Sequence, residues 1–153
     1  CDSGESLSQV CPYCFELEAS PEEASLDAGK SLGLEDLVYA CNDGVGEGFV
    51  FVEGAGGFYS PIADKALNSD LAVQLELPVI IIVKDELGAI SQALLTIDAV
   101  LSKKLKIAFV VLNEIRENTL SNLEALRSYT DVPVLKFSIK NSKLFYLEVE
   151  KLI

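Results

Sequence analysis

Five consecutive β-branched residues, Val79-Ile80-Ile81-Ile82-Val83, stand together with no polar side chain between them. A strand with one face in water alternates apolar and polar residues. An unbroken apolar run needs cover on both faces, which is the situation of a strand inside a parallel α/β sheet. Ile107-Ala108-Phe109-Val110-Val111-Leu112 repeats the signature, and residues 132–137 carry it more weakly. Between the first two runs, Ile90, Ala93, Leu94, Ile97, Val100 and Leu101 keep helical spacing, with Lys103 and Lys104 where the helix dipole favours cations. Leu120, Leu123 and Leu126 predict a further helix, with Asn118 or Thr119 as its N-cap. A shorter helix is predicted through Leu71, Ala72 and Leu75, following Ser69-Asp70. Phe49-Val50-Phe51-Val52 predicts a strand that ends in Glu53 and a glycine-rich loop.

Strands alternating with helices predict an α/β fold, an open parallel sheet covered by helices on both sides. The 153 residues are expected to form a single α/β domain, with a polar N-terminal segment over 1–48 and a βαβ core over 49–153. In such sheets ligands bind beyond the carboxyl ends of the strands. The segments to inspect are therefore 53–57, 84–91, 113–114 and the chain from Ser138 onward.

Composition narrows the chemistry. With 24 acidic against 12 basic residues, the net charge is −12, and nucleic acid or an anionic membrane would be repelled. The chain has no His, which excludes Ser-His-Asp and Cys-His catalysis and every His-containing metal site. The densest apolar stretch, residues 78–83, is far short of the roughly 20 residues a membrane helix needs. The first six residues lack the basic start and apolar stretch of a signal peptide, so a cytoplasmic location is expected. Four cysteines are too few for a disulfide scaffold at this length. The chain also contains no Met, which suggests a processed or incomplete sequence.

Glu53, between an apolar run and Gly54-Ala55-Gly56-Gly57, is the first candidate ligand. Mg²⁺ with a nucleotide takes one or two carboxylates plus phosphate oxygens, and glycines admit close approach of the backbone. A solvated strand end followed by a permissive turn explains the same residues equally well.

Several ordered segments carry a more specific message. They are Val52-Glu53-Gly54-Ala55-Gly56-Gly57, Pro61, Asp70-Leu71, Leu77-Pro78-Val79-Ile80, Leu87-Gly88-Ala89-Ile90, Leu94-Leu95-Thr96 and Leu112-Asn113, preceded by Pro12-Tyr13-Cys14-Phe15 and Ala19-Ser20-Pro21. Together, over about residues 11–115, they closely resemble the dethiobiotin synthetase family. The resemblance implies a P-loop NTPase-like, Rossmann-like fold in three layers. It also implies a cyclo-ligase that closes the ureido ring of dethiobiotin from 7,8-diaminopelargonate, CO₂ and Mg-ATP in biotin biosynthesis. One amine captures CO₂ as a carbamate, the γ-phosphate of ATP activates it, and the second amine closes the ring with loss of phosphate. Such chemistry rests on positioning and charge neutralisation.

By the resemblance, Glu53 is a magnesium ligand, and Glu53, Gly56 and Asn113 belong to the ATP site, with Asn113 on the adenine side. Gly88, Ala89, Ile90 and Ser91 match a helix N-terminus that receives the substrate carboxylate across a homodimer interface. Free N–H groups and the helix dipole suit such a terminus to an anion. No catalytic residue is assigned within the 153 residues. The resemblance also implies a glycine-rich phosphate loop with its lysine ahead of the matched region. The 153 residues hold none, so this chain alone is expected to bind ATP feebly and to be inactive. The alternative is a non-catalytic relative that keeps the fold and dimer surface without the nucleotide loop.

This sequence departs from the family pattern elsewhere too. A second magnesium carboxylate has no secure counterpart, Asp2 being the nearest candidate. Glu22 stands at a frequent His, Ser91-Gln92 replaces a common Asn-His pair, and residues 137–141 lack the usual Gly and Pro.

Two short motifs mislead. Gly29-Lys30-Ser31 imitates the end of a Walker A loop, but Ala24 occupies the position of its first glycine and no strand precedes it. Residues 21–26 read instead as a helical turn, and the resemblance implies that Ala28-Gly29 ends a helix, where a glycine is ordinary. Cys11-Pro12-Tyr13-Cys14 spells a glutaredoxin motif, but it lacks the preceding strand and the long following helix that lower the first thiol's pKa.

Overall fold

The structure is a computed structural model and describes residues 6–43 and 48–152. These fall into two compact units, divided between Leu75 and Glu76.

The first unit contains α1 (Leu7–Val10), α2 (Pro21–Asp27), α3 (Leu34–Asn42), the antiparallel strands β1 (Pro61–Ala63) and β2 (Ala66–Leu67), and α4 (Asn68–Leu75). Ser20 starts α2: its side chain accepts a hydrogen bond from the Glu23 N–H, Pro21 fills the first turn, and Glu22 and Glu23 complement the dipole. Beyond α2, Gly29 has φ +68°, the Gly29 N–H donates to Leu26 C=O and the Lys30 N–H to Ser25 C=O. This is a Schellman helix end, so Gly29-Lys30-Ser31 is a stop signal and not a phosphate loop. The unit's core joins Leu32, Ile62, Ala63, Ala66 and Leu71, with Phe15, Leu34, Leu37, Val38, Cys41 and Leu75 packed around them.

The predicted strand at residues 49–52 does not form. The segment is irregular, and Phe49 and Phe51 are each 75% exposed. Its residues favour strands, but a strand exists only when its N–H and C=O groups meet a partner. Among the described residues none pairs with it. In contrast, the two- and three-residue strands β1 and β2 gave no periodic signal, yet they pair around a turn in which Lys65 adopts φ +52°.

The second unit is the predicted parallel sheet. Its strands β3 (Val79–Lys84), β4 (Ile107–Asn113) and β5 (Val134–Phe137) pair in that order, all parallel. Helices α5 (Ala89–Ser102), α6 (Asn122–Arg127) and α7 (Ser142–Val149) complete it, with a 3₁₀ turn at Ile139–Asn141. The register sets Ile81 beside Val110, and Val110 beside Val134. On that face Ala89, Ala93, Ile97 and Val100 of α5 and Leu126 of α6 are buried, and α5 packs on β3 and β4 while α6 packs on β5. The alternate residues Phe109, Val111 and Leu135 are buried on the other face, against Phe145 and Val149 of α7. Helices on both faces make three layers, which explains why β4 is apolar at nearly every position. On β3, cover on the α7 side is incomplete, and Ile82 is 67% exposed.

The helix predicted from residue 118 or 119 begins later, with Ser121 at the N-cap of α6. Asn118 is otherwise engaged: its Oδ1 accepts from the Leu120 N–H and its Nδ2 donates to Asp85 C=O. It therefore closes a turn and ties that turn to the end of β3. Among the described residues no helix is long and apolar enough to cross a membrane.

Candidate functional site

The carboxyl ends of β3, β4 and β5 converge on a buried polar cluster. Asp85 directly follows β3, and its side chain is only 1% exposed. Its Oδ1 accepts from Asn122 Nδ2 at 2.7 Å, and its Oδ2 lies 2.9 Å from Lys136 Nζ. Lys136, in β5, also reaches Glu114 Oε1 at 2.8 Å. A carboxylate removed from water keeps its charge only when hydrogen bonds and opposite charge replace hydration. Burial pushes the Asp85 pKa up, but the Asn122 and Lys136 hydrogen bonds, the Lys136 charge and a contribution from Asn118 together hold it below the usual carboxylate value. The two carboxylate hydrogen bonds, Glu114 first and then Asp85, outweigh burial at Lys136 and raise its pKa.

Asn113, the candidate adenine-side residue, ends β4 in the middle of this arrangement. It stands in register with Lys84 on one side and Phe137 on the other. Its carbonyl accepts from the Asp85 N–H at 2.9 Å, and the next residue's N–H, that of Glu114, donates to Phe137 C=O at 2.8 Å. Main-chain bonds from the neighbouring strand ends thus hold the backbone on both sides of Asn113.

Gly88, Ala89, Ile90 and Ser91 form the start of α5. Gly88 is the N-cap with φ +98°, a conformation that strains any residue bearing a Cβ. No side chain caps this terminus, and the Ala89 N–H is taken by Glu86 C=O. The backbone N–H groups of Ile90 and Ser91 lie in the first turn, where the helix supplies no acceptor. Ala89 is fully buried, whereas Gly88 and Ser91 are exposed.

Glu53 and Gly56 belong to the first unit. Glu53 is exposed in the irregular segment, at the head of the glycine-rich loop. The loop is organised from behind by Asn68, whose Nδ2 donates to the carbonyls of Ala55 and Gly57 at 2.8 and 2.9 Å. A Cβ on Gly54 would stand 2.6 Å from Asn68 Oδ1, and one on Gly56 would stand 2.7 Å from Ser60 Oγ. The Ser60 hydroxyl in turn accepts from the Gly57 N–H. These glycines therefore admit the chain's own Asn68 and Ser60, a role their spacing did not disclose. Asn68 Oδ1 and the Ser69 hydroxyl are buried without a hydrogen-bond partner in the structure.

The expected site residues thus fall into two groups. The second unit gathers Asn113 and the start of α5 around one end of one sheet; the first holds Glu53 and Gly56 on one loop. Asp2 lies outside the described residues. Among the described residues no three His, Cys, Asp or Glu side chains group as a metal cage. Glu53 offers a single carboxylate, a donor set that fits Mg²⁺ carried by nucleotide phosphates and water but not a resident ion. The Asp85–Lys136–Asn122 cluster escaped sequence reasoning. Its one sequence signal was Lys136 inside an otherwise apolar strand, since a lysine placed there needs a carboxylate partner.

The Cys11–Cys14 pair is exposed, with sulfurs 3.5 Å apart, and follows the C-terminal end of α1. The hydrogen bond and charge of Cys14, with slight burial, push the Cys11 thiol up, opposite to an activated redox nucleophile.

The chain matches the family described as "AAA domain" over residues 1–141, a span that crosses both units. It is 44% identical over all 153 residues to the ATP-dependent dethiobiotin synthetase of Vesicomyosocius okutanii, covering 69% of that protein. It is 43% identical to the enzyme of the same name from Ruthia magnifica, covering 70% of it. A third relative of that name, from Aromatoleum aromaticum, is 37% identical over 133 residues, which is 84% of this chain and 59% of the relative. Identity at this level along the entire chain, on a three-layer parallel sheet with polar groups gathered at its carboxyl end, means that the chain belongs to the dethiobiotin synthetase family.

Proposed function

We propose that the protein is an ATP-dependent cyclo-ligase that forms dethiobiotin from 7,8-diaminopelargonate and CO₂ in biotin biosynthesis. The observation that carries this reading is the 43–44% identity to two dethiobiotin synthetases over all 153 residues. The family match across both units supports their acting as one domain.

Within this reading Asn113 contacts the adenine, on a backbone held by Asp85 and Phe137. Glu53 and Gly56 belong to the triphosphate end, with Glu53 giving one oxygen to the Mg²⁺ that accompanies ATP. That ion neutralises charge on the transferred phosphoryl group. The start of α5, Gly88 to Ser91, receives the substrate carboxylate on its first-turn N–H groups. No side chain of the site is a histidine, and none is assigned as a general base. Catalysis is by positioning: amine, carbamate and γ-phosphate are held in line while dipoles and cations take up charge.

A homodimer belongs to the same proposal. Leu95 and Leu101 are 68% and 52% exposed on α5, the helix whose N-terminus serves the substrate. A cytoplasmic location suits a ligase that consumes ATP.

The test is formation of dethiobiotin by the intact protein carrying these residues, followed by mass spectrometry with Mg-ATP, bicarbonate and diaminopelargonate. One ADP and one phosphate per dethiobiotin are expected. Turnover of ATP without ring closure would overturn the reading. Sedimentation of the same protein checks the dimer, and a monomer at working concentration would remove that part alone.

A further inference from the structure

The proposed reaction makes no use of Cys11-Pro12-Tyr13-Cys14, yet the fold brings its two thiols together. Cys11 closes α1: its N–H donates to Leu7 C=O at 2.8 Å, and it leaves the helix with φ −135° and ψ 78°. The chain then folds back so that Cys14 Sγ lies 3.5 Å from Cys11 Sγ and 3.7 Å from Cys11 C=O. Cys11 Sγ lies 3.7 Å from Tyr13 C=O. Both cysteines are exposed, whereas Cys41, the other described cysteine, is half-buried against the core of the first unit. Burial raises the Cys41 pKa and limits its access to a reagent in solution.

A disulfide needs its sulfurs about 2.0 Å apart. From 3.5 Å the sulfurs have about 1.5 Å to travel. The encounter is already made, so the second thiol resolves a first adduct at high effective concentration. No further ligand is gathered here to favour a metal: two thiols make half a tetrahedral site, and no third metal-binding side chain joins them among the described residues.

We propose that Cys11 and Cys14 are a reversible oxidation site, a dithiol that closes to a disulfide by exchange with a small-molecule disulfide. In the first step one protein thiolate attacks the small disulfide and expels one small thiolate, leaving a mixed disulfide. In the second, the other protein thiolate attacks the protein sulfur of that adduct and expels the second small thiolate. Two protein thiols are oxidised, one small disulfide is reduced to two thiols, and the two protons pass to the released thiolates. Closure anchors residues 11–14 immediately before Phe15, which packs on the first unit's core. The device is a redox-responsive staple at the edge of that unit, distinct from an oxidoreductase, which needs a depressed thiol pKa and a helix N-terminus.

The experiment equilibrates the native protein with glutathione disulfide, blocks remaining thiols with iodoacetamide and maps the cysteines by mass spectrometry. The expected product is a Cys11–Cys14 disulfide lacking two hydrogens, reversed by dithiothreitol, with Cys41 alkylated as in the untreated protein. It should form at least tenfold faster than any adduct at Cys41. Cys11→Ser and Cys14→Ser should each stop at a stable mixed disulfide on the remaining thiol, and because both sites are exposed both variants should fold. The proposal is overturned if both wild-type thiols are alkylated at equilibrium, or if each retains its own glutathione. Pairing with another cysteine or between chains also overturns it.

Discussion

Lys136 Nζ lies 2.9 Å from Asp85 Oδ2, bridging β5 to the residue that leaves β3. Asn122 closes the other side of the same carboxylate, and Glu114 shares the ammonium. Four segments that meet at the carboxyl end of the sheet are thereby held by a single polar cluster. Removing either partner does not cost the same. Lys136→Met strands a buried carboxylate with only amide donors and should destabilise the fold by about 3 kcal/mol. Asp85→Asn leaves a neutral amide beside a lysine that retains Glu114, and about 1–2 kcal/mol is expected. Urea unfolding followed by circular dichroism checks the ranking, and an equal loss in both variants would contradict it.

The same cluster sets the pH dependence. The Asp85 pKa is lowered in the folded protein, so its contribution is complete above the unfolded value of about 3.9 and is lost as pH falls through the folded one. The Lys136 pKa is raised, so its contribution is complete below about 10.4 and is lost as pH rises through the folded value. The urea midpoint should decline on both sides of a neutral plateau. Asp85→Asn should flatten the acid limb and reduce the alkaline one to the part that Glu114 sustains, and an unchanged acid limb would refute the assignment.

Asn68 and Gly54 make a second measurable pair. A Cβ at Gly54 would meet Asn68 Oδ1 at 2.6 Å, so Gly54→Ala displaces the amide that holds Ala55 and Gly57. A cost of about 1–3 kcal/mol is expected. Gly29→Ala meets no atom within 4 Å and carries only the strain of φ +68°, about 1 kcal/mol. Thermal melts of both variants test the order, which a larger loss at Gly29 would reverse.

Leu126 is fully buried where α6 meets the sheet. Leu126→Ala removes three carbons from a site with no solvent to refill it, and a loss of about 2–5 kcal/mol is expected in urea unfolding. Leu95→Ala, at a largely exposed position of α5, should cost less than about 1 kcal/mol by the same measurement in the monomeric protein.

Glu53→Gln exchanges a magnesium ligand for a neutral amide. Because Glu53 is exposed, the melting temperature should not move, while ATP turnover by the intact protein should fall at least tenfold. Turnover equal to the parent at saturating Mg²⁺ would take Glu53 out of the metal site.

Helices and strands with strong periodic signals were legible in advance. The run from Val79 to Val83, its repeat near Phe109 and the stripe of α5 each formed where spacing placed them. The helix end at Gly29 and the start of α5 at Gly88 were legible through the family resemblance, and the positive φ at each glycine is the local conformation that fits them. Pairing is not local. Residues 49–52 have strand-forming side chains and no strand, while Ala66 and Leu67 have little propensity and do pair.

By itself the sequence determined the family, the parallel sheet and the chemistry that a chain without histidine cannot perform. Only the tertiary structure decided which polar groups meet: Asp85 with Lys136 and Asn122, Asn68 with the glycine loop, and Cys11 with Cys14. The physical reason is range. Burial pattern and helix capping are written into neighbours along the chain, whereas a buried charge is stabilised by partners tens of residues away, which only folding brings within 3 Å.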